Sequence, residues 1–406
     1  MKPCPVCGSV VEPIIRFGDM PLANGFLQQE DFPSEYFFEL TFGFCETCAM
    51  AQLIKNVPRE KMFHSNYPFF TASSGRMAAH FQRMADEVAR EWLPATDSFV
   101  VEIGCNDGTL LQRMASLGIR HLGVEPSANV AAVAQSKGVS TMCRFFDLET
   151  AREISGRHGQ ADVVLATNCI CHIQDLHSLA DGLQILLKPR GVLIFEDPYL
   201  GDVIERVAYD QIYDEHAYYF SVLSLTHWLS GHGFEIVALQ PQNVHGGSMR
   251  YTVARSGARK VKPEVPAQQR RELSLRLHLI ETYRQFGRNV DRSSEELLRL
   301  LRRLKQEGKR VVGYAATSKS TTILNYCGIS TDLIEFLTDT TPVKQGRFSP
   351  GTHIPVYSPK KFRDRYPDYA LLFAWNHAEE VINNEHGFRQ AEGRWIRYVP
   401  KVEIFA

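Results

Sequence analysis

The sequence predicts an α/β protein whose central parallel sheet is covered by helices on both faces. Three observations lead to this fold class. Near-continuous apolar segments alternate with amphipathic ones over residues 98–196, the pattern of a buried parallel sheet. Two Cys-x-x-Cys pairs in the first 48 residues indicate a small amino-terminal module. A further strand–loop–helix unit starts at Arg310 and indicates a second α/β domain at the carboxyl end.

The size and charge of the chain restrict its class. Its 406 residues suggest two or three domains, and its 44% hydrophobic and 22% charged content is ordinary for a globular protein. The net charge of −1 provides no overall electrostatic attraction to nucleic acid or to an acidic membrane surface. No apolar run reaches the roughly 18 residues of a membrane helix, and residues 1–5 lack the apolar core of a signal peptide. We expect a cytoplasmic monomer that binds neither nucleic acid nor membranes.

The first segment, residues 1–67, is rich in aromatics, Pro and Gly and carries the paired cysteines. Two residues between thiolates let one turn aim both sulfurs at a single ion, and two such turns complete a tetrahedral zinc shell. A redox dithiol would need only one pair. Because four protein ligands leave no open position, we expect structural zinc on Cys4, Cys7, Cys45 and Cys48. The other five cysteines are expected to be buried small hydrophobes.

The middle of the chain begins with a helix over residues 75–93, which Pro94 is expected to end. Alternating strands and helices follow. We predict strands at 99–103, 121–124, 161–166 and 192–196 and helices at 109–117, 127–136 and 176–187.

The region 259–310 has a different composition, dominated by Arg, Glu, Leu and Gln. It predicts long surface helices with a charged, solvated face. Acidic residues interleave with the arginines, which disfavours a nucleic-acid role. A strand then begins at 310 and another lies at 370–375.

A strand-to-helix turn over residues 101–108 has the spacing of a nucleotide-binding loop. Its glycines, Gly104 and Gly108, permit a sharp turn and close approach of the backbone to a ligand. No glycine stands at the third or sixth position of a dinucleotide fingerprint, which disfavours the alternative of a nicotinamide-dependent dehydrogenase. We interpret this loop, with Glu102 and Asn106, as an S-adenosylmethionine site.

Three more residues support this interpretation. Glu125 ends the second strand, where an acid can accept hydrogen bonds from ribose hydroxyls. Asp147 stands where such folds place a carboxylate near the adenine amino group, and we also assign Asn168 to the cofactor. The run 186–196 resembles the later part of class I methyltransferases.

Two segments concentrate polar chemistry. Residues 168–177 directly follow a strand, at the edge where open α/β sheets bind ligands, and they include His172. Residues 213–220 pack a base, an acid and several phenols together, including Tyr213, Glu215 and His216. Four histidines outside such contexts receive no role: His121, His158, His227 and His232.

Over its whole length the chain resembles the sugar C-3'-methyltransferases, which act on nucleotide-linked 4-keto-deoxysugars in antibiotic and surface-polysaccharide biosynthesis. The most specific match is Tyr213-x-Glu215-His216 followed by Tyr218-Tyr219-Phe220. The supporting matches are Asn168 with His172, the run 245–250, Tyr67 before Ser73-Ser74, and the run 313–319. The resemblance implies a zinc-binding domain at 1–67, a class I S-adenosylmethionine methyltransferase core at 68–258, and a Rossmann-like domain at 259–406 that binds the nucleotide sugar.

The resemblance also implies roles for the polar cluster. A ketone at C-4 acidifies the C-3 proton, which a base of near-neutral pKa can remove. His216 would be that base and Glu215 would orient or charge its imidazole. Tyr213 and His172 would hydrogen-bond the enolate oxygen, and Tyr67 would reach in from the zinc-module junction.

Several polar residues near the carboxyl end are candidates for binding the substrate. Ser318, Lys319, Ser320 and Thr321 open a helix after a strand and would suit a diphosphate, although a merely well-capped helix is the alternative. Gly247 and Arg250 either face the substrate or belong to an ordinary turn and strand. Trp375 is a weaker candidate for contacting the nucleotide base.

Two other functions remain open at this point. An N- or O-methyltransferase acting on a sugar nucleotide or a small metabolite would need no carbon acid. A zinc-dependent nucleic-acid-binding protein is disfavoured by the near-zero net charge. The sequence leaves the sugar, its C-3 substituent, the nucleotide and the stereochemical outcome undetermined.

Overall fold

The computed structural model describes residues 3–93 and 95–405, and only the backbone of Ser73. Pro94, expected to end a helix, lies outside the described residues. The strands are β1 (Glu12–Pro21), β2 (Phe37–Cys45), β3 (Met50–Leu53), β4 (Phe99–Ile103), β5 (Arg120–Val124), β6 (Thr141–Met142), β7 (Ala161–Thr167), β8 (Leu187–Pro198), β9 (Tyr218–Tyr219), β10 (Phe234–Gln242), β11 (Ser248–Arg255), β12 (Val311–Tyr314), β13 (Leu337–Thr338), β14 (Val356–Tyr357), β15 (Tyr369–Leu372), β16 (Arg394–Arg397) and β17 (Glu403–Phe405).

Helices connect these strands. They are α1 (Arg59–Met62), α2 (Gly75–Trp92), α3 (Leu111–Ser116), α4 (Ala128–Ser136), α5 (Leu148–His158), α6 (Leu176–Leu186), α7 (Leu200–Glu205), α8 (Val222–Ser230), α9 (Glu264–Ser274), α10 (Ile280–Gln306), α11 (Ser318–Tyr326), α12 (Pro359–Asp364), α13 (Ala378–Asn384) and α14 (His386–Gln390). Short 3₁₀ turns span Gln29–Ser34, Thr71–Ser73, Ile170–His172, Tyr209–Gln211, Pro342–Lys344 and Trp375–His377.

The largest sheet has seven strands in the order β10-β11-β8-β7-β4-β5-β6. The five strands from β8 to β6 run parallel, and every residue of β4 is buried. This confirms the predicted parallel sheet, since a strand is buried at every residue only when both faces of its sheet are covered. The antiparallel pair β10 and β11 extends the sheet at one edge.

The amino-terminal module is an antiparallel sheet of order β1-β2-β3-β9. Its last strand comes from far along the chain: Tyr218 and Tyr219 of β9 pair with Gln52 and Ala51 of β3. The polar segment at 213–220 is therefore fixed to the cysteine module as well as to the large sheet.

The carboxyl-terminal sheet has six strands in the order β14-β13-β12-β15-β16-β17, parallel except for β17. Helix α10 carries one apolar stripe, including the buried residues Tyr283, Phe286 and Leu297, and exposes its charged face. That stripe belongs to a core shared with β1 and β2, so the long surface helix predicted for 259–310 joins the two ends of the chain.

Predicted and observed elements agree best where buried strands alternate with helices: β4 has the predicted bounds, and α6 differs by one residue. The strand predicted at 370–375 ends at Leu372, and Trp375 lies in a 3₁₀ turn. Among the described helices, none combines the length and apolarity needed to cross a bilayer.

Candidate active site

A single cavity of about 1140 Å³ connects the carboxyl ends of the two parallel sheets. Its wall includes the loops that follow β4, β5 and β7 in the large sheet and the loops that follow β12, β13 and β15 in the carboxyl-terminal sheet. The catalytic candidates Tyr67, His172, Tyr213, Glu215 and His216 all line it. One continuous space can therefore hold a methyl donor and an acceptor together.

The cofactor end of the cavity is built around Gly104, which directly follows β4 with φ of 69°. A side chain there would collide with Cys169, because a Cβ would stand 2.5 Å from its sulfur. Glu125 accepts hydrogen bonds from the backbone amides of Asn106 (3.0 Å) and Ser127 (2.9 Å). These bonds hold its carboxylate at the strand end, as predicted for a ribose contact.

Glu102 offers a test of whether this end fits a ligand. Its side chain is 1% exposed and lines the cavity, and its Oε2 has no hydrogen-bond partner among the described residues. Burial raises the pKa of this carboxyl well above its usual range. A buried polar atom without a partner is costly, so donors of a bound ligand would satisfy it, and the site fits S-adenosylmethionine.

The remaining cofactor candidates divide into two groups. Asn106, Asp147 and Asn168 line the cavity. Gly108 does not, because its Cα faces helix α4, where a Cβ would meet Ala134 at 2.9 Å. Gly108 therefore allows the turn to pack against α4, and its contact with the cofactor stays a prediction.

The four paired cysteines converge on one point. The sulfurs of Cys4 and Cys48 are 3.6 Å apart, those of Cys7 and Cys45 are 3.5 Å apart, and all four lie within 4.8 Å of one another. Four thiolates at this spacing match the tetrahedral shell of a structural zinc ion. Of the other cysteines, Cys143 is exposed and Cys169 partly exposed, so the expectation that all five are buried is wrong for these two.

His216 has a defined tautomer. Its Nδ1 lies 2.8 Å from the carbonyl oxygen of Gln211, which can only accept, so Nδ1 carries the proton. The lone pair is then on Nε2, which accepts a 2.8 Å hydrogen bond from the Tyr213 hydroxyl. Burial lowers the pKa of His216 well below its usual value. The imidazole is therefore a neutral base facing the cavity.

His172 stacks on His216, with ring centroids 5.3 Å apart and planes inclined by 23°. Its Nε2 has no partner among the described side-chain and backbone groups. Burial lowers its pKa to about 4, so this imidazole is neutral as well. Its unpartnered ring nitrogen is free to meet a substrate oxygen.

Glu215 does not contact the imidazole that it was expected to orient. Its Oε2 accepts a 3.0 Å hydrogen bond from the Tyr67 hydroxyl and its Oε1 a 2.6 Å bond from the Asn24 amide. The Gln211 carbonyl orients His216 instead. Asn24 also lines the cavity. Sequence reasoning missed it, since nothing local in residues 22–26 indicates that this loop reaches the middle of the chain.

At the other end of the cavity, Ser318 and Lys319 line the wall, whereas Ser320 and Thr321 do not. Ser320 is buried and bonds to Thr317, and Thr321 donates to the carbonyl of Ala23. The Ser320 hydroxyl thus caps the start of its own helix and the Thr321 hydroxyl joins that helix to the amino-terminal segment, so neither side chain faces the cavity, and their assignment to the substrate stays a prediction.

Gly247, Arg250 and Trp375 also lie outside the cavity lining. Arg250 is 8% exposed and pairs with Glu196 and, at 2.7 Å, with Glu87, so its charge is neutralised within the protein. The Trp375 indole donates a 2.6 Å hydrogen bond to Asp210. Arg250 and Trp375 are thus engaged with other residues of the protein, and the substrate contacts of all three residues stay a prediction.

Comparison with known proteins extends these observations. Three family models match the chain: "Putative zinc binding domain" at residues 4–63, "Methyltransferase domain" at 77–239 and "C-methyltransferase C-terminal domain" at 243–400. The C-methyltransferase NovU of Streptomyces niveus is 34% identical over 407 residues, covering 99% of this chain and 96% of NovU.

Two further similarities cover shorter segments. The ubiquinone biosynthesis O-methyltransferase of Rhodopseudomonas palustris strain BisB5 is 30% identical over 96 residues, 23% of this chain and 38% of that protein. The crystal structure of magnesium protoporphyrin IX methyltransferase from Synechocystis PCC 6803 with bound SAH aligns with a TM-score of 0.35 and 20% identity, covering 44% of this chain and 85% of that one.

Proposed function

The chain belongs to the C-methyltransferase family, and from that premise we propose that it methylates C-3 of a nucleotide-linked 4-keto-deoxysugar. The observation that carries the proposal is the neutral His216 in the wall of the cavity that the cofactor site also lines. Its Nε2 lone pair accepts a hydrogen bond from the Tyr213 hydroxyl and is available to a substrate proton when that hydroxyl turns away. Methyl transfer to carbon requires a base that removes a proton from that carbon. Methyl transfer to oxygen or nitrogen requires no removal of a carbon-bound proton.

The first step is removal of a proton from carbon. A ketone at C-4 spreads the charge of the resulting carbanion onto its oxygen, so an imidazole can take the C-3 proton. His216 Nε2 receives that proton. The ring then becomes an imidazolium, and the Gln211 carbonyl continues to accept the hydrogen bond from its Nδ1 proton.

The enolate oxygen then needs hydrogen-bond donors. His172 can donate from Nε2, which is unpartnered among the described groups, in its Nε2–H tautomer. The Tyr213 hydroxyl donates to His216 Nε2 at 2.8 Å, and it can turn to the enolate oxygen once that nitrogen has taken the C-3 proton. Burial raises the pKa of Tyr213 well above its usual value, so this phenol stays protonated and can donate. Donors already in place at the developing charge lower the barrier without reorganisation.

S-adenosylmethionine, when bound, supplies an electrophilic methyl group with a good leaving group. The residues of this chain therefore need only align the C-3 carbon with that methyl and exclude water. Glu102, Glu125 and Asn168 would hold the donor from the large sheet. The hydrogen bonds of Tyr67 and Asn24 fix Glu215 on the opposite wall.

The nucleotide part would lie towards the carboxyl-terminal sheet. Lys319 is only partly exposed, and its Nζ lies 3.4 Å from the carbonyl of His245 and 3.4 Å from Oδ1 of Asn376. These are weak contacts for a partly buried cation. A diphosphate at the amino terminus of α11 would give it a charged partner.

Product analysis tests the proposal. The protein would be incubated with [methyl-¹³C]S-adenosylmethionine and thymidine-, uridine- or guanosine-diphosphate-linked 4-keto-6-deoxyglucose, and the product examined by ¹³C NMR. We expect the label on C-3, shown by one-bond carbon–carbon coupling in a C-3-labelled sugar. A methyl signal on oxygen or nitrogen, or on C-5, the other carbon beside the ketone, would contradict the proposal.

A further inference from the structure

The carboxyl-terminal sheet repeats the strand order of the cofactor sheet, apart from the edge strand β10. The parallel order β6-β5-β4-β7-β8 of the large sheet corresponds to β14-β13-β12-β15-β16, and each series is followed by an antiparallel strand, β11 or β17. In this correspondence β12 takes the place of β4 and β13 that of β5.

The correspondence extends to the register at the strand ends. Ile103 pairs with Val124 at the end of β4, and Tyr314 pairs with Thr338 at the end of β12. The next residue in each case has a left-handed backbone: Gly104 with φ of 69° and Ala315 with φ of 72°.

Both of these residues also make the same hydrogen bond. Gly104 donates to the Val124 carbonyl and Ala315 donates to the Thr338 carbonyl, each at 2.8 Å. Alanine pays a steric cost in the left-handed region that glycine does not. A turn kept there despite that cost points to a ligand-binding role for the loop.

An acid directly follows β5 in one sheet and β13 in the other, and the two acids make corresponding hydrogen bonds. Glu125 accepts from the amide of Ser127, two residues on, and from Asn106 in the loop after β4. Asp339 accepts from the amide of Thr341, also two residues on (2.8 Å), and from Ala316 in the loop after β12 (2.8 Å).

We propose that Asp339 binds a ribose hydroxyl of a nucleoside diphosphate, as the counterpart of Glu125 in the cofactor sheet. This inference rests on the proposed function, because it places the nucleoside of the substrate. Asp339 lines the cavity and is 8% exposed. Each carboxylate oxygen accepts one backbone amide and keeps a second acceptor site for a hydroxyl.

The repeat differs where the cofactor's base is expected. Asp147 caps helix α5 after β6, whereas the equivalent position before α12, after β14, is Ser358. A carboxylate that could accept from an adenine amino group is therefore replaced by a hydroxyl. The base of the nucleoside that Asp339 binds is therefore recognised by contacts that differ from those expected for the adenine of the cofactor.

The test combines a change in the protein with a change in the ligand. Calorimetry on the zinc-loaded full chain would first measure the binding of thymidine, uridine and guanosine diphosphates. The tightest of these would then be compared with its 2',3'-dideoxy form on the wild type and on Asp339→Asn. Glu125→Gln is the matched variant in the other sheet. S-adenosylmethionine binding reports folding of Asp339→Asn, and nucleotide binding reports folding of Glu125→Gln.

We expect the wild type to bind the hydroxyl-bearing nucleotide about tenfold more tightly than the dideoxy form, as for a hydrogen bond to a charged group. Asp339→Asn should lose most of that preference and keep its affinity for S-adenosylmethionine. Glu125→Gln should show the reverse.

Two results would overturn the assignment while leaving the proposed function intact. One is equal weakening of both nucleotides in Asp339→Asn, which would mean that Asp339 only supports its loop. The other is a wild type that does not distinguish the dideoxy form. If none of the three nucleotides binds while S-adenosylmethionine does, the proposed nucleotide-linked substrate fails as well.

Discussion

The Tyr67 hydroxyl donates a 3.0 Å hydrogen bond to Oε2 of Glu215, a residue 148 positions further along the chain. Four residues after Tyr67, the amide of Thr71 donates to the side chain of Asn106 in the cofactor loop. The segment between the zinc module and α2 is therefore bonded to the catalytic cluster and to the cofactor site, which places these two sites under a common constraint.

Removing the Tyr67 hydroxyl should slow turnover. In Tyr67→Phe, Glu215 keeps only its bond from Asn24, and we expect kcat to fall about tenfold, the effect of losing one hydrogen bond to a charged group. Steady-state kinetics would measure it. Tyr36→Phe, at a partly exposed position, is the matched control. An unchanged kcat in Tyr67→Phe would show that the bond has no part in turnover.

Loss of the base should abolish methyl transfer without loss of the cofactor. For His216→Asn we expect kcat to fall by about 10²–10⁴, the range of general base catalysis, with an unchanged dissociation constant for S-adenosylmethionine. The exposed His227 provides a control, since His227→Asn should retain full activity. Near-normal turnover in His216→Asn would refute the assigned role.

The stability of the protein should depend on pH through His172. Burial lowers its pKa to about 4, while an unfolded chain titrates near 6.5. Between these values the unfolded chain binds a proton that the folded protein does not, so stability falls as pH falls.

This dependence can be isolated with a variant. In His172→Asn the slope of unfolding free energy against pH between pH 5 and 6 should be smaller by about 1.1 kcal/mol per pH unit. Urea denaturation at several pH values would measure both slopes. Other buried groups contribute equally to both proteins. Equal slopes would mean that His172 titrates normally in the folded state.

The cysteine cluster should contribute stability rather than chemistry. Cys45→Ser removes one of four thiolates, so we expect a zinc content below one per chain and a melting temperature lower by roughly 5 °C or more. Cys143→Ser, at the exposed cysteine, should change neither quantity. Full zinc occupancy in Cys45→Ser, measured by plasma emission spectrometry, would contradict a four-cysteine site.

Lys319 should act on the acceptor and not on the donor. Lys319→Gln removes the cation at the amino terminus of α11, and we expect the KM for the nucleotide sugar to rise by about tenfold or more. The affinity for S-adenosylmethionine should be retained. Lys361→Gln, on the exposed face of α12, is the control. Weakened cofactor binding with an unchanged KM for the acceptor would contradict this assignment, because it would place Lys319 at the cofactor end of the cavity.

The sequence predicted those features that depend on local pattern. The buried strand β4, the turn at Gly104 and the two cysteine pairs each carry their signal within a few neighbouring residues. Their predicted structure was correct because strand burial, left-handed turns and thiolate spacing are local properties.

Features that depend on contacts between distant segments could not be predicted in the same way. Asn24 and Asp339 reach the cavity through packing of whole domains. For Arg250 the sequence left a substrate contact and an ordinary strand position open. The structure places it in β11, where the buried Glu196 on the neighbouring strand neutralises its charge. The role of Glu215 was misassigned for a related reason, since a backbone carbonyl took the partner position expected for its carboxylate.

The central claim is that His216 makes a carbon of the acceptor nucleophilic, and solvent exchange tests it most directly. The protein would be incubated in deuterated buffer with a nucleoside-diphosphate-4-keto-6-deoxyglucose and no S-adenosylmethionine, and the sugar followed by ¹H NMR. The account predicts loss of the C-3 proton signal with the wild type, and retention of that signal with His216→Asn. Retention with the wild type in the presence of the bound sugar, or equal exchange by both proteins, would contradict it.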